Sequence, residues 1–179
     1  CTATMHNVLT LRGALVRDAL TWTRSLDDAL VRYGDEMEVL FASHGWPYWG
    51  RADAMSHLRN HRDLYRWIHD EAMRLANLGH TPDEIADLID LPPGLWADWT
   101  CHGYYGTVSH NVRAVYQRYF GFYDGHPSSL NPLPPVQAAR RYVEFMGGIG
   151  NLVANARTAF DEGDYRWVAE LVNHLIFAD

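Results

Sequence analysis

Lysine is missing altogether: all 15 basic residues among the 179 are arginine. That excludes chemistry built on an amine, such as phosphate-loop lysines, Schiff bases and lysine general bases. It leaves guanidinium, the better fork for sulfate, phosphate or carboxylate, as the only permanent side-chain cation. Cysteine is scarce as well. Cys1 and Cys101 cannot build a disulfide framework and show no metal-ligand spacing. No apolar run approaches the ~20 residues that cross a bilayer. A basic excess is also lacking: the formal charge of −7 argues against a nucleic-acid surface, which needs a clustered basic face.

Aromatics, by contrast, are plentiful. Seven Trp and ten Tyr imply a large core or an apolar groove. The hydrophobic share of 47% and charged share of 21% are those of a globular chain, long enough for one good-sized domain or a domain plus a fragment. The opening, CTATMHNVLTL, starts on Cys and reads as mid-domain sequence without a leader. The expectation is therefore a piece of a longer protein.

Residues 1–12 suit a strand or strand end. Leu15, Ala19, Trp22, Leu26, Ala29, Leu30 and Tyr33 form a helical stripe over 14–33, and Gly34 is a natural stop. Met37, Val39, Leu40, Phe41 and Ala42 predict a short buried strand within 36–43, so the first fifty residues read as the edge of an α/β sheet. After Gly50 the pattern turns helical. A long helix is expected over 52–78, and Thr81-Pro-Asp-Glu84 carries the cap, N1 proline and N3 glutamate of a short helix reaching Ile89. A further helical segment holds Trp96 and Trp99, and another covers 108–119. A loop rich in Pro, Gly, Ser and Asn fills 124–135. Helices follow near 135–146, 149–162 and 164–177, the last two resembling one tetratricopeptide-type hairpin without the full repeat. The fold class is thus mainly α behind a small α/β remnant, with a domain boundary near residue 50.

Two clusters draw attention. His44 stands in FASHGWPYWG, at the end of the apolar strand, where α/β folds expose ligands and catalysts. Neutral imidazole is a frequent zinc ligand; the competing reading is a turn histidine bonded to a backbone carbonyl. In GYYGTVSHNVRAVYQRY, paired tyrosines lie between glycines. Ser109 as N-cap would put His110, Asn111 and Arg113 in a first helical turn, whose free N–H groups and dipole favour an anion. Alternatively this is a capped helix whose Tyr and Arg pack on a neighbour. His57 and His61, four apart, read as a wet helix face, since the Glu of a zincin motif is absent. His6 and His102 read as structural. Asp83, Glu84 and Asp87 complement a helix start.

The runs MHNVLTLRGALVRDAL, FASHGWPYWG, RDLYRWIHDEAMRLANLGHTPDEIADLIDLPP, GYYGTVSHNVRAVYQRYFGFYDGHP and GDYRWVAELVNHLIFAD resemble the metallo-β-lactamase-fold alkyl sulfatases. Members hydrolyse alkyl sulfate esters such as dodecyl sulfate, using zinc. The resemblance implies that 1–50 is the C-terminal part of a zinc domain and 51–179 an all-α dimerisation domain, with a sterol-carrier-like domain beyond. It implies a homodimer, a two-zinc site with His44 as one ligand, and Tyr105, His110, Asn111 and Arg113 around the sulfate, with Arg113, Tyr105 and His110 taking part in catalysis. The family's HxHxDH motif and ligand carboxylates are not here, so this chain alone is expected to be inactive. A helical dimerisation or interaction module without catalysis of its own is the alternative, and a helical adaptor a weaker third. The compartment stays open; the family admits export or the periplasm.

Overall fold

The computed structural model describes residues 3–178. Contacts divide the chain into two compact units, one ending at Gly125 and the other starting at His126.

The first unit is organised by one long helix. Leu64, Ile68, Ala72 and Leu75, three or four residues apart, are buried along α2 (Arg51–Asn77), so one stripe of it faces the core. Against that stripe pack α1 (Ala19–Tyr33) and α5 (Val108–Phe120), while α3 (Pro82–Leu88) packs on both α2 and α5. Ile85, Val112 and Val115 complete the interior. α1 starts at Ala19, later than its periodicity suggests. The Asp18 carboxylate accepts from the amides of Leu20 and Thr21 and fixes the start there. α3 has the expected capping box between Thr81 and Glu84. The Trp96–Trp99 segment resolves into α4 (Pro93–Trp96) and a 3-10 turn, Trp99–Cys101.

The sheet expectations are overturned. No strand forms in residues 3–12. Instead, Met5 N–H donates to the Thr100 carbonyl, Gly106 N–H donates to the Met5 carbonyl, and Val8 N–H donates to Asn111 Oδ1. This segment is a ribbon stitched to loops and one side chain rather than to a ladder. The buried strand expected within 36–43 shrinks to β1 (Val39–Leu40), paired antiparallel with β2 (Tyr48–Trp49). It is not buried: Val39 is 38% exposed, and Phe41 just beyond it 73%. Among the described residues, the two-stranded hairpin rests on α2 without a second sheet layer over its outer face.

In the second unit, α6 (Pro135–Phe145) and α7 (Ile149–Asp161) pack on α8 (Tyr165–Ala178) around Val143, Leu152, Ala156 and Leu171. The α7–α8 turn is made at Gly163, whose φ of +83° suits only glycine, and Asp164 N–H closes it on the Ala159 carbonyl. All three helices fall where periodicity places them. The unit leaves large apolar side chains in water, among them Phe145, Ile149, Tyr165 and Ile176.

Candidate functional site

A cleft of ≈ 830 Å³ opens in the first unit, and His44, His6, Tyr105, Arg12, Arg17 and Trp46 are among its lining residues. Its geometry is set by the ribbon of residues 3–12 and by the β1–β2 hairpin.

The hairpin turn carries His44, exposed at the cleft edge. Its backbone is constrained next door. Gly45 has φ of +94°, and a Cβ there would sit 2.3 Å from Ala3 Cβ, so the turn can press against the ribbon only without a side chain. At the base of the hairpin, the Tyr48 hydroxyl donates to the Ala3 carbonyl at 3.0 Å, and its ring stacks on His57 at 4.2 Å.

His57 and His61 were expected on a wet face; both are buried, at 3% and 1% exposure. Their rings lie 4.0 Å apart. His61 Nε2 meets Thr100 Oγ1 at 3.2 Å, and that hydroxyl donates to Asp98 Oδ1. Burial pushes the His61 imidazole down to about 3, helped by neighbouring His57 and opposed by Asp98. A buried pair of tilted imidazoles, with His61 held neutral, therefore underlies the hairpin; helical spacing alone did not distinguish this from a solvated face.

His6 is fixed on every side. Its amide donates to the Tyr65 hydroxyl, its carbonyl accepts from Asn111 Nδ2, and its ring meets those of Trp22 and Tyr105 edge-on. Ring Nδ1 lies 2.9 Å from the Asn7 carbonyl, which also accepts from Arg17 Nη1 at 2.8 Å. A carbonyl only accepts and a guanidinium only donates, so Nδ1, also 3.3 Å from Arg17 Nη1, faces one partner of each kind. Arg17 in turn lies over the Trp22 ring, 5.7 Å from its centroid.

The residues expected around an anion separate here. Tyr105 lines the cleft, as His44 does. Asn111 is fully buried behind it, with Oδ1 accepting from Val8 and Nδ2 donating to His6. His110 Nε2 donates to the Leu9 carbonyl at 2.7 Å. Arg113 faces elsewhere: its Nε meets Asp83 Oδ1 at 2.6 Å and its Nη1 the Ser109 hydroxyl and carbonyl. The helix cap is Thr107, not Ser109; Thr107 Oγ1 accepts from His110 N–H, and the helix thus starts two residues earlier. The guanidinium groups lining the cleft are those of Arg12 and Arg17. Sequence reading missed both arginines and His6, although MHN and LRGALVR lay inside the quoted runs.

Among the described residues, no group of three or more His, Cys, Asp or Glu could hold a metal. His44 by itself does not make a zinc site, which takes about four ligands.

The alkyl sulfatase dimerisation model matches residues 81–179. The chain belongs to the alkyl sulfatase dimerisation family. It is 46% identical over 178 residues to a linear primary-alkylsulfatase of a Pseudomonas species, covering 99% of this chain and 26% of that protein. It is 47% identical to an alkyl/aryl-sulfatase of Saccharomyces cerevisiae, covering 98% of this chain and 27% of the relative. The solved structure of the stereoselective inverting sec-alkylsulfatase Pisa1 from Pseudomonas superposes with a TM-score of 0.94 at 49% identity. That match covers 99% of this chain and 28% of the solved one. The chain thus spans about a quarter of the length of these relatives, and the mainly helical fold is shared with them.

Proposed function

We propose that this chain forms part of a zinc-dependent hydrolase of alkyl sulfate esters of the dodecyl sulfate type. It would supply one wall of the substrate site and the surface through which two copies pair. The carrying observation is the cleft, which joins an exposed imidazole, a tyrosine and two arginines, in a chain 46–47% identical to named alkylsulfatases.

In this reading His44 contributes one nitrogen to a two-zinc site whose remaining ligands come from outside the described residues. Zinc supplies Lewis acidity to the sulfate ester or its attacking water. The chain's own groups bind and orient. Arg12 and Arg17 offer charge-assisted hydrogen bonds to the sulfate oxygens, and the Tyr105 hydroxyl adds a neutral donor. His6, whose Nδ1 sits between the Asn7 carbonyl and Arg17 Nη1, would hold or move a proton at Nε2 near the ester oxygen. Trp46 and Trp99 give an apolar wall for the alkyl tail, where each buried CH₂ contributes about 0.8 kcal/mol. His110 and Asn111 act one layer back by holding the ribbon. Arg113 braces α5 against α3 through Asp83.

Residues 1–50 are then the end of a metallo-β-lactamase-like zinc domain and 51–179 the helical dimerisation domain. Exposed Phe145, Ile149 and Ile176 support a homodimer through the second unit, because large apolar side chains left in water mark association surfaces. The second reading, a dimerisation module without catalysis, rests on the same exposed side chains. Zinc content and dodecyl sulfate hydrolysis, measured for this chain and for a form extended N-terminally to the relatives' length, separate the two. Expected are about two zincs and turnover only in the extended form, with loss of at least one zinc in His44→Ala. An extended His44→Ala protein with full zinc and full activity would refute the ligand assignment.

A further inference from the structure

A second constellation lies on the α2–α5 contact, and none of its members lines the cleft. His69 is 9% exposed and is engaged at both ring nitrogens. Nδ1 lies 2.7 Å from Asp70 Oδ1, and Nε2 lies 2.9 Å from Tyr119 Oη. An ionised carboxylate only accepts, so Nδ1 carries the proton and Nε2 accepts from the Tyr119 hydroxyl. Partial burial works against charge on Asp70, but hydrogen bonds from Arg66 and His69 outweigh it and hold the carboxyl below its usual range. The tautomer is therefore fixed from one side, and the phenol is polarised from the other. Tyr119 is 44% exposed, so reagents in water can reach it. Carboxylate, imidazole and hydroxyl in series is the arrangement in which a base, oriented by a third group, activates a nucleophile.

We propose that Tyr119 is a nucleophilic tyrosine, activated by His69 and Asp70, that accepts sulfonyl groups from activated sulfur(VI) donors. With a sulfonyl fluoride, Tyr119 Oη attacks sulfur, an O–S bond forms, and the S–F bond breaks as fluoride leaves. The phenolic proton passes to His69 Nε2 and then to water, and no oxidation state changes. The same hydrogen bond also ties the end of α5 to α2. A clasp alone requires no enhanced reactivity, and that difference is measurable.

The test is competitive labelling of the intact chain with p-toluenesulfonyl fluoride at neutral pH, followed by peptide mapping. Tyr165 is the internal reference: it is more exposed, at 62%, and its ring neighbour is Phe160 rather than a base. General-base assistance is typically worth 10²–10⁴-fold, so a partial share still predicts Tyr119 labelling at least about tenfold faster than Tyr165. His69→Phe and Asp70→Asn should each slow labelling at Tyr119 and leave Tyr165 unchanged. A Tyr119-to-Tyr165 ratio below about tenfold in the unaltered chain overturns the proposal, whether or not either variant folds. So does a Tyr119 rate unchanged in both variants.

Discussion

Replacing His61 with glutamine should flatten the acid dependence of stability. In the fold, burial and His57 hold the His61 imidazole down to about 3, against 6.5 in an exposed chain. The sign follows from that depression. Above pH 6.5 both states are neutral here and nothing is lost; below it the unfolded chain takes up a proton that the native state refuses until about pH 3. Between pH 7 and pH 5 this single group costs the fold about 2 kcal/mol, at 1.36 kcal/mol per pH unit of unmatched protonation. In His61→Gln the amide still reaches toward the Thr100 hydroxyl but does not titrate. Urea unfolding followed by Trp fluorescence suits the question, because six of the seven Trp lie in the first unit. Wild type should lose about 2 kcal/mol more than the variant on going from pH 7 to pH 5. Equal losses, within about 0.5 kcal/mol, would refute the picture of a buried neutral imidazole at His61.

Asn111→Ala leaves the Val8 amide and the His6 carbonyl without their partner in the interior; a loss on the order of 3 kcal/mol is expected in the unfolding free energy measured by denaturant titration. Gly106→Ala places a Cβ 2.5 Å from the His6 carbonyl carbon, so the ribbon must shift. The variant should lose more than about 1 kcal/mol and move the His6 ring resonances by NMR. In the extended enzyme, Arg17→Ala should weaken octyl sulfate binding about tenfold or more, as a lost charge-assisted hydrogen bond implies. Arg113→Ala should leave that binding within about twofold, because its partners are Asp83 and Ser109; calorimetry reads both.

The helices were legible because their signals are local. Thr81 with Pro82 and Glu84 announces α3, and the spacing of Leu58, Tyr65, Ile68, Ala72 and Leu75 announces α2. The ribbon was not, since alternation in residues 3–12 looks the same whether its amides find a neighbouring strand or, as here, Thr100 and Asn111. The same limit applied to the site. His44 and Tyr105 could be singled out by motif, but Arg12 and Arg17 join them in the cleft beside a ribbon tied to Thr100 and Asn111, which no local pattern announces. Arg113 lies on the expected helix, beyond its first turn, and pairs with α3 through Asp83, thirty residues away. His57 and His61 show a further blind spot: four-residue spacing says that two rings share a face, not which side of the helix that face lies on.

Along the ribbon, Met5 and Val8 are sealed in the interior, while His6 and Thr10, interleaved with them, line the cleft. One strip of backbone therefore belongs to two environments at once. A molecule that steadies His6 must also slow opening of the strip, so hydrogen exchange at the Val8 amide becomes a reporter of cleft occupancy. By reciprocity, damage deep beneath the strip will be felt as weakened grip at the surface, even when no lining residue has changed.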